Sequence, residues 1–300
     1  MNSADGSTTS GASGVAEAVV AAHERSGRRL SVDGVNTFVL DRGHGDPVVC
    51  LHGVPASSFL YRKLISELGD RGLRGLALDL PGLGLADRPA DFDYTWTGLG
   101  RFAAATVDAL GLDRFHLVVH DIGGPVGFEL AAVDPGRVIS LTVLNAPVEV
   151  ATFRRPLVMK PFAVKGLGEL YLRVINPPAF RLLMHWQGVA ERSKVTRAEL
   201  DAYLMLLRRA DGGRAFLKIM RGFELTRAKQ DRYEAVLRDR RIRVQIVWSE
   251  ADPALPINTR GEQARRAAGV AEIHTVPGKH FFPEDQAPLL ADIIAAHANG

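Results

Sequence analysis

The sequence is poor in several features that mark particular classes of protein, and each scarcity narrows its possible function. One cysteine, Cys50, excludes an internal disulfide, and without a Cys/His cluster there is no signature of a structural zinc site. Cys50 lies in the apolar run of residues 48–51, so we interpret it as an unreactive residue of a buried strand. This composition suits a reducing compartment, and we expect a cytoplasmic protein.

Membrane and nucleic-acid partners are not expected either. No apolar run approaches the roughly 20 residues that a membrane-spanning helix needs. The first 14 residues are rich in Ser, Gly and Thr and lack the basic start of a signal peptide, so residues 1–14 are predicted to be a disordered tail. The net charge is +3, but the arginines form no basic block, and the sequence does not predict binding to nucleic acid.

What the sequence does contain is a regular alternation of short apolar runs and helical patterns. Residues 15–147 and 241–300 alternate in this way, which predicts an α/β protein with a mostly parallel, doubly wound sheet. Between them, residues 148–240 carry helical periodicity broken by prolines and show no clear strand. We therefore predict a helical cap inserted over the carboxyl ends of the strands.

The most informative stretch is residues 115–127. An apolar run predicts a buried strand that ends at Asp121, and Gly123 and Gly124 follow at the start of a helix. A strand that turns sharply into such a helix is the layout of a nucleophile elbow, which projects one side chain at the top of the sheet. A carboxylate in that place attacks carbon directly and gives an enzyme ester. An Asp that only caps the helix would produce the same local pattern.

Two further polar residues favour the catalytic interpretation. Asp252 and His280 each lie just past a later predicted strand, and the chain order of nucleophile, acid and histidine is the one that this layout uses. In these roles Asp121 forms the ester, His280 deprotonates the hydrolytic water, and Asp252 orients the imidazole. The backbone N–H groups of Val54 and Ile122 are the expected donors to the oxyanion of the tetrahedral intermediate. Neither a metal nor an organic cofactor is predicted.

These residues resemble the α/β-hydrolase fold superfamily over about residues 30–296. Within it, the Asp nucleophile, the loop His52-Gly53-Val54-Pro55 and the run from His280 to Pro288 look like the branch of haloalkane dehalogenases and epoxide hydrolases. The resemblance implies a hydrolase that acts on a small apolar substrate with an epoxide or a carbon–halogen bond.

The sequence departs from this branch where the leaving group should bind. Haloalkane dehalogenases usually carry Trp directly after the nucleophile and many carry Asn after the His-Gly pair, whereas this chain has Ile122 and Val54. His185-Trp186 resembles the His-Trp pair of fluoroacetate dehalogenases, but the carboxylate-binding arginines of those enzymes would fall near Ile122 and Pro125.

Epoxide hydrolases instead need tyrosines in the cap that donate to the epoxide oxygen. Tyr203 and Tyr171 are the candidates for that acid, while His185, Trp186 and Phe281 are further candidates for the pocket. Each of these residues could equally belong to the packing of the helices. Because a tyrosine can act as an acid and the usual halide donors are missing, the sequence slightly favours an epoxide over a haloalkane.

Two other functions remain open at this point. The fold could have lost turnover and serve as a ligand-binding protein, or it could catalyse a lyase or cyclase reaction on a biosynthetic intermediate. The complete set of Asp121, Asp252 and His280 weighs against a binding protein, since binding alone needs no such set. The oligomeric state is not predicted.

Overall fold

The computed structural model describes residues 7–300, with side chains from residue 14 onward. The first helix is α1 (Ser7–Arg25). Residues 7–14, which the sequence analysis expected to be part of a disordered tail, are therefore helical. Residues 1–6 of that tail lie outside the described residues. Burial of Ala16 and a 3.0 Å hydrogen bond between His23 Nε2 and Ser58 Oγ anchor this helix on the body. Once a helix is anchored, extending it by a turn costs little.

Eight strands of the described chain form one sheet, and all eight lie within residues 15–147 and 241–300, the two segments for which the sequence predicted it. The spatial order is β1-β2-β4-β3-β5-β6-β7-β8; β1–β2 and β2–β4 pair antiparallel, and the other neighbours pair parallel. In chain order the strands are β1 (Arg28–Val32), β2 (Val35–Arg42), β3 (Pro47–Leu51), β4 (Arg74–Leu78), β5 (Phe115–His120), β6 (Val138–Leu144), β7 (Arg243–Ser249) and β8 (His274–Val276).

Helices flank the sheet, with α2 packed on α12 and α3 packed on α4. After α1, the helices in chain order are α2 (Arg62–Asp70), α3 (Trp96–Ala109), α4 (Gly123–Val133), α5 (Lys160–Ala163), α6 (Leu167–Val174), α7 (Pro177–Gln187), α8 (Arg197–Arg208), α9 (Arg214–Arg221), α10 (Arg227–Leu237), α11 (Glu262–Ala268) and α12 (Ala287–Asn299).

The central strands explain why the chain order of the candidate residues becomes a spatial cluster. All six residues of β5 are buried, as expected for a parallel strand that helices cover on both faces. Strands β3, β5, β6, β7 and β8 are consecutive and parallel, so their carboxyl ends meet along one edge of the sheet. A side chain just beyond any of these strands therefore lies close to the others.

Helices α5 to α10 form one continuous insertion between β6 and β7. No strand interrupts the chain from 145 to 242, a segment that the structure describes in full. Of the helices described, none is long and apolar enough to cross a membrane.

Candidate active site

The turn between β5 and α4 holds Asp121 in a backbone conformation that residues other than glycine rarely adopt. Its φ angle is +53°, in the left-handed region, and a strained turn of this kind is typical of functional sites. The turn needs glycine next to it: a Cβ on Gly123 would lie 2.3 Å from the Leu51 carbonyl oxygen, and one on Gly124 would lie 2.6 Å from Ala146 Cβ. The glycines thus let α4 start against the sheet and leave Asp121 at its upper edge.

The Asp121 carboxylate is held in its charged form by backbone donors and by a histidine. The Val54 N–H donates a hydrogen bond of 3.0 Å to Asp121 Oδ1, and the Ile122 N–H also donates to the carboxylate. Burial would raise the pKa of Asp121, but the hydrogen bond and charge of His280 and the Ile122 N–H hold it below its usual value. Asp121 is therefore an anion, as a carboxylate nucleophile must be.

His52 fixes the loop that brings the Val54 N–H to this place. The imidazole is fully buried; its Nδ1 donates to the Gly53 carbonyl at 2.9 Å, and its Nε2 accepts from the Leu80 N–H at 3.1 Å. Burial lowers the pKa of His52, which suits this neutral form with both nitrogens engaged. Sequence reasoning found the loop but not this role of His52.

His280 lies between the two carboxylates that the sequence assigned to it. Its Nε2 is 3.5 Å from Asp121 Oδ2, and its Nδ1 is 2.7 Å from Asp252 Oδ2. Burial alone would lower the pKa of His280, but the charge of Asp252 and the contacts with both carboxylates raise it to about 10. The structure thus brings Asp121, Asp252 and His280 together in one hydrogen-bonded set.

Asp252 is itself fixed by several donors. The N–H groups of Ala254 and Leu255 donate to its Oδ1 at 2.7 and 2.9 Å, and the Asn145 amide donates to its Oδ2 at 2.7 Å. Burial would raise the pKa of Asp252, but His280 and the backbone donors keep it below its ordinary value. Asn145 was not assigned from the sequence, although a polar residue directly after strand β6 is the signal that could have identified it.

A second histidine, His120, supports the loop that carries His280. Its Nε2 donates to the His280 carbonyl oxygen at 2.8 Å, and the two rings lie 4.8 Å apart. Burial and the neighbouring His280 lower the pKa of His120 to about 4, so it remains neutral beside the charged set. The sequence analysis assigned no role to His120.

A cavity opens above Asp121 between the sheet edge and the inserted helices. It measures about 90 Å³, and Asp121, His280, Val54, Ile122 and Phe281 all line it, as the sequence predicted for a pocket at this position. The remaining lining is chiefly apolar and comes largely from the inserted helices: Phe153, Met159, Phe162, Phe180, Met184, Leu204, Leu207, Phe216 and Met220. Such a cavity suits a small apolar ligand.

Tyr203, the preferred acid of the sequence analysis, does not line this cavity. Its side chain is buried, and its hydroxyl donates to the Glu284 carboxylate, which also accepts from Arg62. Burial and the charge of Glu284 raise the pKa of Tyr203 well above its usual value. Helix α8 presents Leu204 and Leu207 to the cavity instead, so the expectation for Tyr203 was wrong.

Three other cap candidates also lie outside the cavity lining. The Tyr171 ring packs 5.1 Å from the ring of Phe162, which lines the cavity in its place. His185 and Trp186 lie on faces of α7 that point away, and Trp186 is 58% exposed. On a helix, residues three or four apart share a face, and α7 turns Met184 and Gln187 toward the cavity.

Two polar residues of the insertion that sequence reasoning missed do line the cavity, namely Gln187 and Arg155. One Arg155 nitrogen donates to the Met220 carbonyl oxygen at 2.8 Å, and its guanidinium lies 4.5 Å from the centre of the Phe223 ring. No group of His, Cys, Asp and Glu side chains in residues 14–300 is arranged to hold a metal ion.

Comparison with known proteins identifies the family to which the chain belongs. The model of the alpha/beta hydrolase fold family matches residues 46–287. A cis-3-alkyl-4-alkyloxetan-2-one decarboxylase of Shewanella oneidensis is 33% identical over 180 residues, which is 58% of this chain and 55% of that protein. A haloalkane dehalogenase of Mycolicibacterium paratuberculosis is 31% identical over 229 residues, which is 75% of this chain and 65% of that protein.

A solved structure shares the fold at lower sequence identity. The crystal structure of an epoxide hydrolase from Vigna radiata superposes with a TM-score of 0.72 and 21% identity, and the match covers 91% of this chain and 97% of that one. The chain therefore belongs to the alpha/beta hydrolase fold family.

Proposed function

We propose that the enzyme hydrolyses a small apolar substrate through a covalent ester on Asp121. The observation that carries this proposal is the arrangement of Asp121, His280 and Asp252, with His280 3.5 Å from the first carboxylate and 2.7 Å from the second. Asp121 attacks an sp³ carbon, the leaving group departs, and water then attacks the ester carbonyl. The N–H groups of Val54 and Ile122, which already contact the carboxylate, serve as the oxyanion hole of that second step.

Esterification also prepares His280 to act as the base. In the free enzyme two carboxylates raise the pKa of His280, and the imidazole carries a proton. When Asp121 becomes an ester it loses its charge, so one of the two interactions that raise the pKa disappears. The pKa of His280 then falls, and the imidazole can take a proton from water while Asp252 stabilises the resulting cation.

The inserted helices, residues 148–240, act in this proposal as a cap. Their apolar side chains close the cavity above Asp121 and limit the substrate to a small molecule. Exclusion of water strengthens the interactions of the carboxylate with its reaction partners.

The position of the tyrosines favours a carbon–halogen bond over an epoxide. Opening an epoxide yields an alkoxide, which needs a proton from an acid on the side of the carbon opposite Asp121. Tyr203 and Tyr171 are absent from the cavity lining, and His280 lies on the same side as the nucleophile because it contacts the Asp121 carboxylate. A halide leaves as a stable anion and needs hydrogen-bond donors but no proton, so we favour haloalkane hydrolysis over the epoxide chemistry that the sequence alone suggested.

A second candidate substrate is a β-lactone, and the same observation favours it. Attack of Asp121 on the sp³ ring carbon would break its bond to the ring oxygen and free a carboxylate, which needs no proton. Loss of CO2 from that carboxylate would then supply the electrons of a C=C bond and expel the Asp121 carboxylate, which gives an alkene without consuming water. The relative from Shewanella oneidensis is named for an oxetan-2-one, which is such a ring. This candidate is a specific form of the lyase reaction that the sequence analysis left open.

A substrate panel tests the choice. Purified enzyme is incubated separately with 1-bromobutane, 1,2-epoxybutane and a cis-dialkyl oxetan-2-one, and bromide, diol and alkene are measured; Asp121→Ala provides the blank. We expect bromide release above this blank and no diol. Diol formation without bromide release would contradict the haloalkane proposal, and alkene formation alone would select the lactone.

A further inference from the structure

We propose that the side-chain amide of Gln187 binds the departing anion above Asp121, a role that deepens the proposed function and rests on it. The residue comes from the insertion, whereas Asp121 comes from the sheet edge, and both line the same cavity. In an in-line displacement the leaving atom departs on the side opposite the attacking oxygen. A donor on the insertion side is therefore where a departing halide needs one.

The Gln187 amide is one of two polar side chains of the insertion that line this cavity and hold a buried atom without a hydrogen-bond partner; the other is Arg155, through its Nε. The Oε1 atom of Gln187 is buried and has no hydrogen-bond partner among the residues that the structure describes. Leaving a buried polar atom without a partner destabilises a fold, so such an atom in a ligand cavity indicates a role with the ligand. Because the oxygen and nitrogen of a carboxamide exchange places by a rotation of the amide group, the same position can present an N–H donor.

Backbone contacts hold Gln187 against the catalytic loop. The His280 N–H donates to the Gln187 carbonyl oxygen at 3.2 Å, and the Phe281 N–H donates to the Gly188 carbonyl oxygen at 2.8 Å. The Lys279 ammonium adds a bond of 2.7 Å to the carbonyl oxygen of His185. The carboxyl end of α7 is thus tied to the segment that carries His280, which fixes the height of Gln187 above the reacting groups.

The N–H group of a side-chain amide is a suitable hydrogen-bond donor to a departing halide. As the bond between an Asp121 oxygen and the substrate carbon forms, the carbon–halogen bond breaks and the halide leaves with the bonding electrons. An amide N–H stabilises that negative charge by a hydrogen bond and keeps its own proton. Gln187 would thereby supply the donor that Ile122 and Val54, the positions of the usual halide donors, do not offer.

Arg155 is the rival donor, and its contacts argue against it. Its guanidinium is held by the Met220 carbonyl and stacked over Phe223, so these groups of the insertion already fix its orientation. Among the described residues Arg155 Nε has no hydrogen-bond partner either, but the contacts with Met220 and Phe223 fix the plane of the guanidinium, whereas no such contact fixes the Oε1 atom of Gln187.

The test follows alkylation alone, in a His280→Gln background that cannot complete the cycle. Intact-mass spectrometry measures the rate at which 1-bromobutane and 1-chlorobutane add a butyl group to the protein. Adding Gln187→Met, which keeps the length but removes the donor, should slow adduct formation by about tenfold to a hundredfold. The rate with 1-chlorobutane should fall more than the rate with 1-bromobutane, because the charge of a departing chloride is more concentrated. Gln187→Asn, which keeps an amide, should retain more of the rate than Gln187→Met.

Two further variants make the result specific. Leu182→Met, a change at an exposed residue of the same helix that does not line the cavity, should leave the rate within about threefold. Equal rates for the parent and Gln187→Met would overturn the inference while leaving the aspartyl ester intact, and loss of rate in Arg155→Met alone would assign the donor to Arg155 instead. If the parent forms no adduct with either substrate, the proposed function fails and this inference fails with it.

Discussion

Asn145 and His280 both donate hydrogen bonds of 2.7 Å to the same oxygen of Asp252, Oδ2. Asn145 also accepts from the Ser249 N–H at 3.0 Å, so it links the ends of β6 and β7 while it holds the acid. The shared oxygen fixes the direction from which Asp252 meets the imidazole. The Asn145 amide, which lies at the end of β6 and not in the turn after β5, thus helps to fix the position of His280.

Asn145→Gly should therefore damage both catalysis and stability. Asn145 has a positive φ of +37°, which glycine adopts without strain, so this change removes the amide alone. We expect the free energy of unfolding to fall by about 1–3 kcal/mol and hydrolysis of the ester to slow by about tenfold. Urea denaturation and pre-steady-state kinetics measure the two effects. Unchanged ester hydrolysis would show that Asp252 needs no such support.

The raised pKa of His280 predicts how stability depends on pH. The pKa is about 10 in the folded protein against an ordinary value of 6.5. The folded state therefore keeps a proton that the unfolded state loses, and stability from this group is complete below about pH 6.5 and is lost as the pH rises through about 10. Denaturation at pH 6, 8 and 10 should show that the free energy of unfolding of the wild type falls relative to that of His280→Gln as the pH rises. A gap that stays constant over this range would contradict the charged pair.

Gly53→Ala should displace the Asp121 carboxylate, because the added methyl group would clash with it. A Cβ on Gly53 would lie 2.3 Å from both the Cβ and the Oδ1 of Asp121, so either the carboxylate or the loop with the Val54 N–H must move. We expect turnover to fall by at least about a hundredfold, since displacements near 1 Å have effects of that size. Gly136→Ala is the control and should keep its activity: Gly136 precedes the amino end of β6, opposite the edge that holds the site, and its Cβ would lie 3.3 Å from the Asp134 carboxylate.

Tyr203→Phe distinguishes a structural tyrosine from a catalytic acid. Its hydroxyl donates to the buried Glu284 carboxylate, so the change should lower the free energy of unfolding by about 1–3 kcal/mol. Turnover at a temperature where both proteins are folded should change by less than about threefold. A loss of about a hundredfold without loss of stability would restore the tyrosine as the acid.

The sequence predicted the sheet, and the proximity of the three candidate catalytic residues, because both depend on local signals. A parallel strand covered on both faces reads as an apolar run, and each run located one strand of the sheet. Residues just beyond those strands, Asp121, Asp252 and His280, then had to meet at one edge. Val54 and Ile122 followed from the same rule.

The donors to the leaving group were not predictable in the same way. On α8, Tyr203 and Leu204 are adjacent, yet one contacts Glu284 and the other lines the cavity. On α7, Trp186 and Gln187 are also adjacent, yet Trp186 is 58% exposed and Gln187 lines the cavity. Both helices are apolar on more than one face, so periodicity does not say which face meets the catalytic edge; the packing of the whole insertion decides it.

The most direct test of the central claim is the origin of the oxygen in one turnover. Enzyme in excess over substrate is allowed to react once in ¹⁸O-labelled water, and the peptide that contains Asp121 is then examined by mass spectrometry. Water attacks the ester carbonyl in this mechanism, so we expect the label in the Asp121 carboxylate and unlabelled oxygen in the first product. Label in the product alone, with none on Asp121, would contradict a covalent aspartyl ester.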